Sequence, residues 1–553
     1  MAVLLMRLSL VVVEEERKEE MVNLERVVFG TVSTAAAGWL LLLGFLYLMC
    51  DAILDLSATN ADMMMVGVGM MNLHLKSMAD PGKLHILMFP WLAFGHLIPF
   101  LELAKLIAQK GHRISFVSTH RNIQRLRKLP PYLSDLIDFV KIQLPEVDNL
   151  PEDAEASIDL PYNMVRYLKI AFDELQPRIT CLLQDSSPDW VIVDFASYWL
   201  CPEAAKLNIP CAYFSVFTAA FLNFIGPTWI TLENQDYRVK PEDFTEKPKW
   251  IPFETSVSFR LFQMNRQFRQ FKEAGGNVSD AYRNAATVDG CDVVAIRSCY
   301  EFESEWLQLL ENIYQKPIIP VGHLPPTTSD GGSEYQNENW LEIKEWLDKK
   351  EKGSVVYVAF GGETKPNQEE LTEIALGLEK SELPFFWALR KQRGAADNEV
   401  TQLPEGFEER IKGRGVVCTS WVPQLKLLSH DSVGGILTHC GLSSVVEAVH
   451  FGKWLILLPF WADSGLISSQ LEEKKMGHEI ARNELDGSFN KDSVAYSLRL
   501  VMVEEGGKVY REKVKEMREI LSYEDKQDGY TERFLDYLQN HRRAKKIEFP
   551  SEL

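Results

Sequence analysis

Trp421–Ser464, WVPQLKLLSHDSVGGILTHCGLSSVVEAVHFGKWLILLPFWADS, is the stretch on which the architecture of this chain turns. Gly434–Thr438 (GGILT) reads as a short buried strand. His439, Cys440 and Gly441 then lead into Ser443–Phe451, where Val445, Val446, Ala448 and Val449 fall at helical spacing. A strand that passes through Gly straight into a helix leaves the first backbone N–H groups of that helix without internal partners, pointing out of the sheet. Such a terminus holds anions, and a phosphate fits it.

The same alternation of strand and helix continues outward. Upstream, SVVYVAFGG (Ser354–Gly362), a helix over Gln368–Leu378, and the strands PFFWAL and GVVCTS predict one parallel α/β domain. From Lys83 a second one reads KLHILMF as strand, PWLAFGHLIP as loop, FLELAKLIAQKG as an amphipathic helix closed by Gly111, and HRISFVST as strand. DWVIVDF, CAYFSV, DVVAIRS and KPIIPVG complete its sheet. Ligands of such sheets sit beyond the C-terminal strand ends, where His96 and Asp194 fall. The aromatic stretch 221–270 (Phe221, Phe224, Trp229, Trp250, Phe253, Phe259, Phe262) predicts irregular helices and loops over an apolar cleft. TTSDGGSEYQNEN is the linker candidate.

At 553 residues, 46% hydrophobic and 25% charged, the chain is globular and long enough for two or three domains. A formal net charge of −19 disfavours nucleic acid and anionic membrane surfaces as bulk partners, so any phosphate is bound locally. Eight cysteines without a C-x-x-C pair suggest neither a zinc site nor a disulfide framework, and they suit a reducing cytoplasm. No D-x-D run offers a cation for a diphosphate, so no metal is expected. VGVGMM (66–71) lacks the third Gly of a dinucleotide loop, and Asn277-Val-Ser279 is a sequon by pattern alone. The uncharged segment 27–50 is long enough to span a bilayer. It reads as an appended segment foreign to the functional unit, as a membrane anchor, or as a buried helix.

The opening block resembles the signature of the plant family 1 UDP-sugar glycosyltransferases. In register stand Trp421, Pro423, Gln424, His430, Gly434, Gly435, Thr438, His439, Cys440, Gly441, Ser444, Glu447, Gly452, Pro459 and Asp463. Leu442, Trp454 and Ser464 depart from it, standing where the family has Trp, Pro and usually Gln. The resemblance, which runs from about Pro81 to the C-terminus, implies the GT-B fold, two Rossmann-like domains facing across a cleft. It divides the chain into an N-terminal extension (1–80), an acceptor-binding domain (81–325), a linker (326–345), a UDP-sugar-binding domain (346–525) and a C-terminal helix packing back on the first domain (526–553).

It also implies roles. His96, with Asp194 fixing its tautomer and supporting the imidazolium, is the expected catalytic pair. For UDP, Trp421 offers a flat face to uracil, Val422 its backbone, and Gln424 stands beside them in the motif. Glu447 accepts from the ribose, and His439, Gly441, Ser443 and Ser444 surround the diphosphate, with Gly361 and Gly362 letting backbone approach. Asp463 and Ser464 are the expected donor-sugar contacts. Ser464, shorter than Gln, predicts an altered preference for UDP-glucose, and Trp454 is expected to refill the space that Leu442 leaves beside the sugar.

Phrases such as EEKKMGHEIARNELDGSFNKDSV and LPEGFEERIKGRGVVC are similar to the branch that adds a sugar to flavonoid or triterpenoid glycosides, rhamnosyltransferases included. The implied function is inverting, metal-independent transfer of glucose or rhamnose from UDP to an apolar glycosylated acceptor. UDP-sugar serves as co-substrate without a further cofactor. The expected protein is a cytoplasmic monomer; the alternatives are anchoring through 27–50 and a non-catalytic UDP- or small-molecule-binding relative.

Overall fold

The computed structural model describes residues 82–272, 278–325, 338–362, 366–389, 402–521 and 524–543. The apolar run 27–50, the Gly-rich run 66–71, Asn277 of the sequon and residues 326–337 of the expected linker lie outside them.

The first sheet holds β1 (His85–Phe89), β2 (Arg113–Thr119), β3 (Ile137–Ile142), β4 (Trp190–Val193), β5 (Cys211–Ser215), β6 (Val293–Ile296) and β7 (Ile318–Pro320) in the order β3-β2-β1-β4-β5-β6-β7. All its pairs are parallel. The second holds β8 (Val355–Ala359), β9 (Phe385–Ala388), β10 (Gly415–Cys418), β11 (Val433–Thr438), β12 (Trp454–Leu457) and β13 (Gly477–Glu479) in the order β10-β9-β8-β11-β12-β13, again parallel. These are the two Rossmann-like sheets of a GT-B molecule. Each reverses its winding once, between β1 and β4 and between β8 and β11, and a crevice opens at that reversal.

The strands read as unbroken apolar runs because both faces of each sheet are covered. Along β1, Leu87 and Phe89 enter one buried cluster and Ile86 and Met88 the other. Along β8, Val355 and Tyr357 alternate with Val356 and Val358 in the same way. The glycine pair of β11 is a packing requirement: a Cβ on Gly434 would lie 2.0 Å from the Gly353 carbonyl oxygen, and one on Gly435 would lie 2.6 Å from Met502 Sδ.

Three boundaries differ from the sequence reading. The first long helix runs Phe94–Gln109, so FGHLIP is its opening turns and not a loop. Pro99 lies inside this helix and, having no N–H, forgoes the bond to the Gly95 carbonyl. Residues 338–345 of the expected linker are helical, part of Glu338–Asp348, whose Ile343 and Leu347 enter the second core. The last helix is Glu524–Asn540. Its Phe534, Leu535 and Leu538 pack into the first core, the Leu538 carbonyl accepts from Trp190 Nε1 at 2.8 Å, and Tyr530 enters the second core.

Candidate active site

At the reversal in the first sheet, Asp194 follows β4 directly and is fully buried. Its Oδ1 accepts from the Phe195 N–H (2.7 Å) and its Oδ2 from the Trp91 N–H (2.9 Å), the latter in the loop after β1. The same Oδ2 lies 2.8 Å from Nδ1 of His96, whose side chain keeps 12% exposure. A carboxylate can only accept, so Nδ1 carries the proton and Nε2 is the basic nitrogen. The ring is held in place by Phe195 and Phe217, with centroids at 5.5 and 5.4 Å. Residues 98 positions apart thus form one oriented base.

At the other reversal, Gly361 follows β8 and His439 follows β11. The imidazole of His439 lies between two glycines: a Cβ on Gly361 would stand 2.8 Å from its Cε1, and one on Gly441 would stand 2.5 Å from its Nε2. Gly361 also has φ +72, a left-handed conformation that glycine adopts without cost. His439 Nδ1 is buried with no hydrogen-bond partner among the described residues, and burial lowers the histidine's pKa to about 4. The ring is therefore neutral at ordinary pH.

The helix Leu442–His450 starts beside it, with Gly441 as N-cap and no side chain capping its end, and Ser443 and Ser444 stand half-buried in its first turn. One turn on, Glu447 is buried and accepts from Gln424 Nε2 at 2.6 Å, while Tyr357 Oη donates to Gln424 Oε1 at 3.2 Å. Burial raises the Glu447 pKa above its ordinary value, against the hydrogen bond from Gln424. Trp421, 45% exposed, presents an open indole next to buried Val422, and Gly362 is half-buried next to Gly361.

The depressed His439 pKa makes folding stability depend on pH. Between pH 6.5 and about 4 an unfolded-state histidine binds a proton that His439 does not, so folding stability falls as the pH is lowered through that window. His439→Gln should remove this dependence, narrowing the loss between pH 7 and pH 5 by about 2 kcal/mol. Urea unfolding of both proteins at the two pH values reads it; equal losses would show that His439 titrates normally.

Other expected positions are placed differently. Asp463 is half-buried and stands at the N-cap position of the helix Ser464–Glu473 without a side-chain cap bond. Ser464 does not reach outward: it is 3% exposed, its Oγ donates to the Trp461 carbonyl and accepts from the Phe460 (3.3 Å) and Trp461 (3.1 Å) N–H groups, closing its own loop. A hydroxyl this close to the backbone satisfies local N–H groups first. Trp454 does not refill the space beside Leu442. It pairs with Gly435 at the N-terminal end of β12, the opposite edge of the sheet, under the Arg511 guanidinium at 5.6 Å. Of the aromatic stretch, Phe224, Phe259 and Phe262 are core residues, and the rings flanking His96 are Phe195 and Phe217.

Sequence reading missed three features. Tyr357 supports Gln424 from inside β8. Tyr162 of the first domain lies against Trp461 of the second, with ring centroids 4.9 Å apart. Arg297, just past β6, is 2% exposed, donates from Nε to the His323 carbonyl (2.8 Å) and from Nη1 to Ser443 Oγ (2.8 Å), and so joins the two halves. Its signal was an arginine at the ligand-facing end of a buried strand.

A family model described as UDP-glucoronosyl and UDP-glucosyl transferase matches residues 302–524. UDP-glycosyltransferase 91A1 of Arabidopsis thaliana is 52% identical over 467 residues, covering 84% of this chain and 98% of that protein. Soyasaponin III rhamnosyltransferase of Glycine max is 41% identical over 470 residues, covering 85% and 98%. Among solved structures, Arabidopsis thaliana UGT89C1 complexed with UDP-L-rhamnose matches with TM-score 0.63 over 83% of this chain and 99% of that one, at 23% identity, a likeness of fold.

Proposed function

The chain belongs to the plant family 1 UDP-glycosyltransferases and is a UDP-sugar-dependent transferase, and on that premise we propose that it moves glucose or rhamnose, with inversion and without a metal, onto a hydroxyl of a plant secondary-metabolite glycoside. The observation that carries the mechanism is the His96–Asp194 bond of 2.8 Å at the reversal of the first sheet. With Nδ1–H committed to Asp194, Nε2 takes the proton of the acceptor hydroxyl as its oxygen attacks the anomeric carbon. The bond from that carbon to the diphosphate breaks on the opposite face, and UDP departs with the electron pair, so the configuration inverts.

Negative charge then grows on the diphosphate. The N-terminus of Leu442–His450, the hydroxyls of Ser443 and Ser444 and the neutral His439 ring are the groups we assign to meet it. Glu447, oriented by Gln424, is assigned to the ribose and Trp421 to uracil. Phe195 and Phe217 beside the base, and the Tyr162–Trp461 pair across the domains, suit an apolar acceptor. The 41% identity to a saponin rhamnosyltransferase supports a deoxyhexose donor and a glycosylated triterpenoid acceptor.

The described cysteines are all free thiols, which supports a cytoplasmic setting, and no helix among the described residues is long and apolar enough to cross a membrane. Incubating the full chain with a panel of UDP-sugars and flavonoid and triterpenoid glycosides tests the reading. Transfer from UDP-rhamnose or UDP-glucose to one of them is expected; UDP binding without transfer to any would point to a non-catalytic relative.

Donor choice is tested separately. Because the Ser464 hydroxyl closes its own loop, Asp463 is left to read the sugar from this side. Ser464→Gln restores a longer polar reach and is expected to raise the rate with UDP-glucose relative to UDP-rhamnose by about tenfold, one good hydrogen bond. An unchanged donor ratio in competition assays would remove position 464 from sugar recognition.

A further inference from the structure

Arg297 is a buried cation without a carboxylate partner. It is 2% exposed, and its hydrogen-bond partners are neutral: the Ser215 carbonyl for its backbone N–H, the His323 carbonyl for Nε and Ser443 Oγ for Nη1. Among the described residues no Asp or Glu forms an ion pair with it; Glu447 and Glu102 act on it at longer range. A guanidinium removed from water is costly unless an anion compensates it. Even with burial lowering its pKa to about 10, it stays charged at neutral pH.

The side chain comes from the first domain, past the end of β6, and its tip reaches the first turn of the helix Leu442–His450 in the second. Ser443 Oγ accepts there from Nη1. A hydroxyl has one proton, and one that already accepts from a cation turns that proton away from it. Ser443 is thereby set as a donor, polarised by the charge behind it and standing at the N-terminus of a helix.

We propose that Arg297 is a positioning residue for the leaving group, whose missing counter-ion is the diphosphate of the nucleotide, met through Ser443. The inference rests on the UDP-binding reading above and deepens it: part of the electrostatic response to the departing UDP comes from the first domain. A bound diphosphate then strengthens a contact between the two domains that is already made, because the cation belongs to one and the helix terminus to the other. Uridine, which lacks the phosphates, gains nothing from this contact.

Calorimetric titration of the full chain with UDP and with uridine tests the idea, with wild type, Arg297→Met and Arg297→Lys compared. Arg297→Met is expected to weaken UDP by about tenfold to a hundredfold and to leave uridine unchanged, as removal of a charge-assisted bond does. Arg297→Lys should fall between. A structural role alone would weaken both ligands in parallel. If Arg297→Met binds both nucleotides in the wild-type ratio while its thermal unfolding stays cooperative, the proposal is overturned. Should Arg297→Met fail to fold, Arg297→Lys decides: a UDP-to-uridine affinity ratio equal to wild type overturns the idea, and a lowered ratio that no longer responds to Arg297→Lys in a Ser443→Ala background supports it. Wild-type protein that binds neither nucleotide would instead sink the UDP reading itself.

Discussion

His96→Ala is expected to lower kcat by about 10²- to 10⁴-fold while UDP affinity stays at the wild-type level. The two effects separate because the proposed base and the proposed nucleotide pocket belong to different sheets. His96 occupies the first turn of Phe94–Gln109 above β1, and the residues assigned to UDP gather at the ends of β8, β10 and β11 and in the segments that follow. Removing the ring leaves the Trp421, Gln424, Glu447 and His439 arrangement intact. It also leaves Asp194 with its two backbone donors, Trp91 and Phe195, so the buried carboxylate is not orphaned and the fold is kept. Asp194→Asn would be a poorer probe, since an amide at that place disturbs both the imidazole tautomer and those backbone bonds. Single-turnover transfer, with calorimetric UDP binding beside it, gives the answer. Retained transfer in His96→Ala would show that another group removes the acceptor proton.

How far the sequence carried the fold and the site is seen residue by residue. β1, β4, β8 and β11 were legible because a doubly covered parallel strand must be apolar along its whole length, and their ligand-facing ends followed from chain direction. The residues proposed for the nucleotide were easily grouped because, from Trp421 to Glu447, they are close in sequence, so spacing alone groups them. What escaped is what depends on three-dimensional approach. The helical start at Phe94 was hidden by Pro99, which reads as a helix breaker yet lies inside the helix. The fate of the Ser464 hydroxyl depended on two backbone N–H groups presented by a particular loop. Trp454 was misplaced because sequence proximity to Leu442 says nothing about which end of β12 carries the side chain. Arg297, 146 residues from Ser443, reads on paper like any strand-end arginine until its burial is seen.

Gly441→Ala is expected to cost UDP about tenfold to a hundredfold in affinity without a comparable loss for uridine. The added Cβ would sit 2.5 Å from His439 Nε2, roughly an ångström inside ordinary contact. The ring cannot retreat freely, because Gly361 closes on it from the other side at a spacing that already excludes a Cβ there, 2.8 Å from Cε1. Relief must come from moving the helix N-terminus or the turn after β8, and both border the place assigned to the diphosphate. Overpacking of this kind costs about 1–3 kcal/mol, and a phosphate site has little tolerance for it because its donors work through distance and direction. The backbone of Gly441 itself is not the obstacle, since its φ of −62 and ψ of 131 suit any residue. The loss is therefore steric, and it should be relieved by shrinking the ring: His439→Ala placed on Gly441→Ala is expected to add little further loss, whereas independent effects would multiply. Calorimetry with UDP and uridine on the two single variants and the double variant measures that coupling. A Gly441→Ala protein that binds UDP as tightly as wild type would mean that the diphosphate is held elsewhere than at this helix start.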